Sequence, residues 1–412
     1  MPKRARILLA GTIAATATFA AAATEAQDAT QVLNGQIQLG DVLSTHELTV
    51  VTTEEQITAS STATGNHFFG AVEDDDAGVT STQDLQGDVR ASMTLDLAGE
   101  AAGPVNLAAS ASGNVVEAAA YGGDLSADIT QTAGTVEVTA DVQANAATGR
   151  MLEGGSINAT AMTNHVGLAV ETGRAVGSIT QTSDSLTQAT AGAVIQYAPA
   201  TLTVGASAAS NNLNATGTVG SQEWVIAQTM TGARTQASTF VAAGNAWDLQ
   251  GSATAMGNNA AITNQGGSVY VTADQNNDAY VRSQAEVSAY DFGAATAVAY
   301  GVGNALQVGN NDVLAVIDVE QLNNGGVEVI AGFTGQDGYD GGASATAIGN
   351  SVIGYACSTC AGQLYATNVQ TNQSGVSAYA SSTVNGSARS IIAGSTATGN
   401  SASFYVSRPS GH

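Results

Sequence analysis

Along most of this chain, apolar and polar side chains alternate residue by residue. In "TVEVTADVQANA" (residues 135–146), Val136, Val138, Ala140, Val142, Ala144 and Ala146 fall on one side. Thr135, Glu137, Thr139, Asp141, Gln143 and Asn145 fall on the other. The stretch "TLTVGASA" repeats the pattern, with Leu202, Val204, Ala206 and Ala208 in phase. A period of two over this length predicts half-buried β-strands. No 3.6-residue period is present, and frequent Gly, Thr, Val and Asn oppose helix. Gly-Asn, Gly-Gly and Asn-Asn steps are expected to supply the turns. Only Pro104 and Pro199 interrupt the chain between its leader and its tail, as long backbone ladders require.

The strands recur on a longer period. A small-residue phrase ends at Asn66, Asn114, Asn164, Asn211, Asn258, Asn304, Asn350 and Asn400, at intervals of 46 to 50 residues. A second phrase, built around Gln, runs in step through Gln83, Gln131, Gln181, Gln228, Gln275, Gln321 and Gln370. Two phrases on one period mark about seven tandem units of about 47 residues, the signature of a repeat architecture. The expected fold is an all-β solenoid, a β-helix rod with a narrow core of Ala, Val and Ile. Each unit is either one long coil or two coils of about 23 residues. With coils stacked about 4.8 Å apart, the rod is roughly 65–75 Å long for two coils per unit and about half that for one. Equivalent Asn or Gln residues are then expected to form amide ladders along the axis. Residues 27–58 lack a clear copy and are expected to cap the first coil, since an open edge would pair with another chain. The repeats occupy 59–404 and a tail follows at 405–412.

The first 26 residues depart from this pattern. Lys3, Arg4 and Arg6 precede the apolar run "ILLAGTIAATATFAAAA", and small residues then offer cleavage after Ala23 or Ala26. This reads as a signal peptide. Removing it takes away three basic residues and one acid, leaving 7 basic against 33 acidic residues and a formal charge of −26. Lys3 is the only lysine, which excludes a P-loop or Schiff-base lysine in the mature chain. So few basic groups also argue against nucleic acid as a partner. With only 11% charged residues, the surface must be covered by uncharged polar groups.

Candidate chemistry is sparse. Cys357 and Cys360 form a lone CxxC; in an exported chain without a βαβ setting, a local disulfide is the expected reading. His67 and His165 directly follow repeat Asn residues and so occupy equivalent positions, where solvated turn residues are expected; His46 and His412 are isolated. Two acidic clusters stand out, Glu73 to Asp76 and "GQDGYDGG" with Asp337 and Asp340. The second is faintly similar to the calcium turns of β-rolls, but it occurs once. No catalytic residue, metal ligand or cofactor site is assigned.

Taken together, the export signal, the Ala/Thr/Gly/Asn bias and the phrases "STATGNHFF", "ASATAIGN" and "STATGNSASFYV" resemble the holdfast anchor proteins of stalked alphaproteobacteria, the D-type family above all. The resemblance implies an outer-membrane-associated surface protein that tethers an adhesive polysaccharide. It also implies two partners, a companion anchor protein and a curli-secretin-like lipoprotein. The Gln and Asn ladders are similar to those of curlin subunits, whose unit is about half as long. Self-association, or a curli-like fibre subunit, is therefore one alternative. A β-helix polysaccharide lyase or hydrolase is another, because carboxylates are abundant.

Overall fold

A computed structural model describes residues 30–312, 314–357 and 362–406. The expected signal peptide and residues 407–412 of the expected tail lie outside them. The described chain is a parallel β-solenoid in which strand residues pair with their equivalents 46 to 50 positions further on. Gln83 pairs with Gln131, Gln131 with Gln181 and Gln181 with Gln228. Each unit is therefore one long coil. The eight strands that carry the Gln phrase, from Thr30–Gln38 to Gln363–Asn372, rise about 34 Å at about 4.8 Å per step.

Every turn has three walls. A Gln strand comes first, such as Leu125–Ala133, and a second strand follows, such as the start of Glu137–Met151. A long third wall, such as Gly155–Glu171, folds back across both. In later turns the second and third walls fuse around a corner into one strand, as in Leu186–Thr218 and Arg234–Gln265. The inward positions read from the sequence are the buried ones: Val136 to Ala146 and Leu202 to Ala208 all lie in the core. That core is divided. One apolar compartment lies between the second wall and the first half of the third, around Leu95, Leu107, Val142 and Ile157. The other lies between the Gln wall and the second half of the third, around Val116, Ile129, Val166 and Trp224.

The turns differ from expectation in one respect. The Gly-Gly steps at 122–123 and 325–326 do make turns, with positive φ at Gly122 (86°) and Gly326 (81°), whereas Gly341-Gly342 lies within a strand. The Gly-Asn steps do not. Gly65-Asn66 and Gly303-Asn304 lie in mid-strand, at a kink where the residue before Asn drops out of the pairing. The glycine is there for clearance. A Cβ on Gly303 would come within 2.6 Å of Gly349 O and of Asn323 Oδ1. The Asn-Asn pairs at 211–212 and 258–259 also sit inside strands.

Residues 30–50 supply the first two walls of the first turn, and Ile57–Glu73 supplies its third. Thr30–Gln38 and Val42–Val50 pair in register with Ala77–Leu85 and Val89–Leu97. At the other end, Ser390–Val406 runs two residues past the expected repeat boundary at 404.

Candidate functional site

The repeat amides lie between the two apolar compartments. Asn114, Asn164, Asn211, Asn258, Asn304 and Asn350 are fully buried, as are Gln83, Gln131, Gln181, Gln228, Gln275 and Gln321. Each Asn donates from Nδ2 to Oδ1 of the Asn in the next turn, at 2.8–2.9 Å from Asn66 to Asn400. Its second N–H crosses the interior to a Gln-wall carbonyl, for example Thr182 O from Asn164 at 3.0 Å. The Gln residues do the reverse. Gln131 donates from Nε2 to Gln83 Oε1 (2.9 Å) and to His165 O on the third wall (2.9 Å). Gln370 is the last to follow suit, donating to Gln321 Oε1 at 2.8 Å. The two ladders therefore run in opposite directions and tie the walls together from both sides. Amides buried without partners would each cost about 1–3 kcal/mol, so this partition depends on its completeness.

Sequence reasoning missed part of this network. Gln36 belongs to the Gln ladder, accepting from Gln83 Nε2 at 2.7 Å. Its spacing of 47 residues from Gln83 was readable. A further ladder joins Asn277, Asn323 and Asn372, at 2.7 and 2.6 Å, two positions after the repeat Gln. In the middle of the rod Thr163, Ser185, Thr187 and Ser210 form a chain of buried hydroxyls. Thr163 and Ser210 stand where other turns have the kink glycine.

The other candidates serve local structure. Asp76 accepts the backbone N–H of Asp124 (2.8 Å), and Asp75 accepts the Thr30 hydroxyl (2.9 Å). "GQDGYDGG" lies inside the strand Val327–Ala356 and makes no turn. Its Asp337 accepts from Ser387 N at 2.8 Å, while Asp340 pairs with Arg389, which holds the carboxyl below its usual range. Among the described residues no group of three His, Cys, Asp or Glu could hold a metal ion. His67 and His165 both align with Val115 and lie within strands, not in turns. Burial lowers the His165 pKa, partly countered by Glu117, and Asn212 Nδ2 lies 2.9 Å from its Nδ1. His46 lies in the strand Val42–Val50 of the first turn, and His412 falls outside the described residues. Cys357 is disulfide-bonded, and Cys360 also falls outside the described residues.

Outward positions carry uncharged polar groups in rows. Thr82, Thr130 and Thr180 align and are exposed. At the corner between the second and third walls the surface changes character. Trp247 and Tyr339 stand exposed there, with centroids 6.2 Å apart in an edge-to-face pair. Beside them lies a cleft of about 490 Å³ lined by Tyr197, Asn245, Asp291 and Asp337.

The model of holdfast attachment protein D (HfaD) matches residues 51–326, about two thirds of the chain. The chain belongs to the HfaD family. The HfaD match starts just after Val42–Val50 and ends just after Leu314–Asn323, so it covers an unbroken series of turns with the Asn ladder from Asn66 to Asn304 and the Gln ladder from Gln83 to Gln321. It includes Trp247, whereas Tyr339 lies beyond its end. Membership makes this a holdfast attachment protein and places its work at the cell surface. No curated protein and no solved structure matches the chain.

Proposed function

We propose that the chain is a non-catalytic tether, joining an adhesive polysaccharide to the outer membrane after export by its signal peptide. The observation that carries this reading is the rod itself: a parallel solenoid, locked internally by two opposed amide ladders, in a family of holdfast attachment proteins. Such a rod is stiff, and rows like Thr82, Thr130 and Thr180 repeat one hydrogen-bonding group about every 4.8 Å. Many weak contacts of this kind sum to firm attachment through multivalency. In this reading the partners are the polysaccharide, a companion anchor protein and a curli-secretin-like lipoprotein at the membrane.

Deleting the chain tests the reading. Cells without it are expected to release adhesive polysaccharide into the medium, and the purified rod is expected to bind that polysaccharide without shortening it. Polysaccharide that stays on the deletion cells would overturn the tether. New reducing ends after mixing with the rod would favour a lyase or hydrolase instead.

A further inference from the structure

Trp247, Gly293 and Tyr339 hold the same corner position in three successive turns, between the aligned rows Ala246–Phe292–Gly338 and Asp248–Ala294–Asp340. Gly293 makes the arrangement possible. A Cβ there would lie 3.0 Å from indole Cδ2 and 2.4 Å from Trp247 O. With that space open, the indole leans over Gly293 and meets Tyr339 from the far turn edge-on, at 70° between ring planes. The rings are 62% and 52% exposed. They form an edge-to-face aromatic ridge facing water; other exposed aromatics, such as Tyr290 and Tyr379, stand elsewhere on the rod. A solvent-facing aromatic patch rimmed by polar groups marks a binding site more often than a structural need.

The ridge has a carboxylate on each side. In the larger cleft, Asn245, Asp291 and Asp337 stack on consecutive rungs. Like charges on facing rungs repel. Asp337 is satisfied by Ser387 N and Oγ, but Asp291 accepts no hydrogen bond from the described residues. Across the ridge lies a depression of about 410 Å³, lined by Thr201, Asp248, Asp340 and Arg389. There Arg389 is already engaged, bonded to Asp340 and lying 5.5 Å from the Tyr339 ring centroid. The free charge of the corner is therefore negative, carried by Asp291, Asp337 and Asp248, of which Asp291 alone also lacks a hydrogen-bond donor among the described residues.

A ligand for this surface needs three properties. It must offer a flat C–H face to the exposed rings, hydroxyls to Asn245 and Asp337, and a cation to Asp291 and the π-face of Trp247. A pyranose carrying a free ammonium group has all three. An N-acetylated sugar lacks the cation, and a uronate is repelled. We infer that this corner is a subsite for unacetylated amino-sugar residues of a polysaccharide. The inference rests on the tether reading and names the sugar chemistry that the tether grips.

The chain's two tryptophans make the test direct, since Trp224 is 1% exposed and Trp247 faces solvent. Indole fluorescence of the full mature chain is followed while adding glucosamine oligomers, their N-acetylated counterparts, galacturonate oligomers, or calcium chloride. Glucosamine oligomers are expected to shift the Trp247 emission, with affinity falling at least tenfold in Asp291→Asn and on N-acetylation. Trp247→Phe is expected to leave only a silent Trp224 signal. Equal affinity for acetylated and unacetylated oligomers, or the same shift with calcium alone, would overturn the subsite. Retention of the rod on isolated adhesive polysaccharide separates the two readings. If wild type and Trp247→Ala are retained equally, the subsite is wrong and the tether stands. If neither is retained, both fall. Far-UV circular dichroism of each variant confirms that the solenoid has formed.

Discussion

Asn304 donates from Nδ2 to Asn350 Oδ1 at 2.8 Å and, with its other N–H, to Leu322 O at 2.8 Å, while its own Oδ1 accepts from Asn258. One side chain thus joins three successive turns and two walls. Replacing it with an isosteric apolar group, Asn304→Leu, leaves Asn258 Nδ2, Asn350 Oδ1 and Leu322 O each short of a partner. One such orphaned group costs about 1–3 kcal/mol, so the loss is expected to reach at least that range. Because a solenoid's stability is a sum of local interfaces, the damage should stay local. Hydrogen exchange is expected to quicken between residues 258 and 350 and to stay unchanged near Asn66. Uniform protection throughout would show that the ladder contributes little.

The kink glycines give a sharper contrast. A methyl on Gly303 would sit within 2.6 Å of Gly349 O and Asn323 Oδ1, whereas one on Gly309, six residues along the same strand, meets nothing within 4 Å. Gly303→Ala is therefore expected to lose about 1–3 kcal/mol, the usual effect of overpacking. Gly309→Ala should change stability by less than about 0.5 kcal/mol. Denaturant midpoints of the two variants provide the comparison, and equal midpoints would contradict the clearance argument.

Acid should weaken the middle of the rod through His165. Burial lowers its pKa in the folded state, with Glu117 opposing. The unfolded chain then binds a proton more readily than the folded one, so stability falls as pH drops below the ordinary histidine range. This contribution is fully present above about pH 6.5 and is lost progressively below it. His165→Asn carries the residue found at the aligned position Asn212 and is expected to flatten the profile between pH 7.5 and 5. A wild-type profile already flat over that interval would refute the assignment.

The opposed ladders also set how copies can meet. Inward positions of the first and last turns, among them Val42, Val50, Val376 and Val384, are only partly buried. At the ends, Asn66 Oδ1 and Gln370 Oε1 accept no hydrogen bond from the described residues, while Gln36 and Asn400 carry donors. Head-to-tail stacking places donor against acceptor in both ladders; joining like ends places like against like. Concentrated rods are therefore expected to stack with one polarity. Mixing separate chains carrying Leu33→Cys and Thr367→Cys should give a crosslinked pair that neither chain forms alone. Crosslinking of Leu33→Cys to itself would indicate the opposite arrangement.

The sequence by itself determined the strands, the 47-residue period and the equivalence of the Asn and Gln positions. These follow from local rules: alternation decides which side chains face inward, and a repeat that recurs in step must stack on itself. It could not choose between one coil and two per unit, because both place equivalent residues on one line. The long-range pairing of Gln83 with Gln131 decided that. Nor could it separate a Gly-Asn turn from a Gly-Asn kink. The dipeptide is common to both, and only the carbonyl of the next turn, pressed against Gly303, makes the difference. The opposite directions of the two ladders are likewise tertiary. An amide can point either way along the axis until a carbonyl across the interior takes its second N–H: Leu322 O for Asn304, Ala305 O for Gln275. The corner cleft lay in the same period, with Trp247, Gly293 and Tyr339 each 46 residues apart. Its meaning depended on three turns lying close enough for the indole to occupy the space that glycine leaves open.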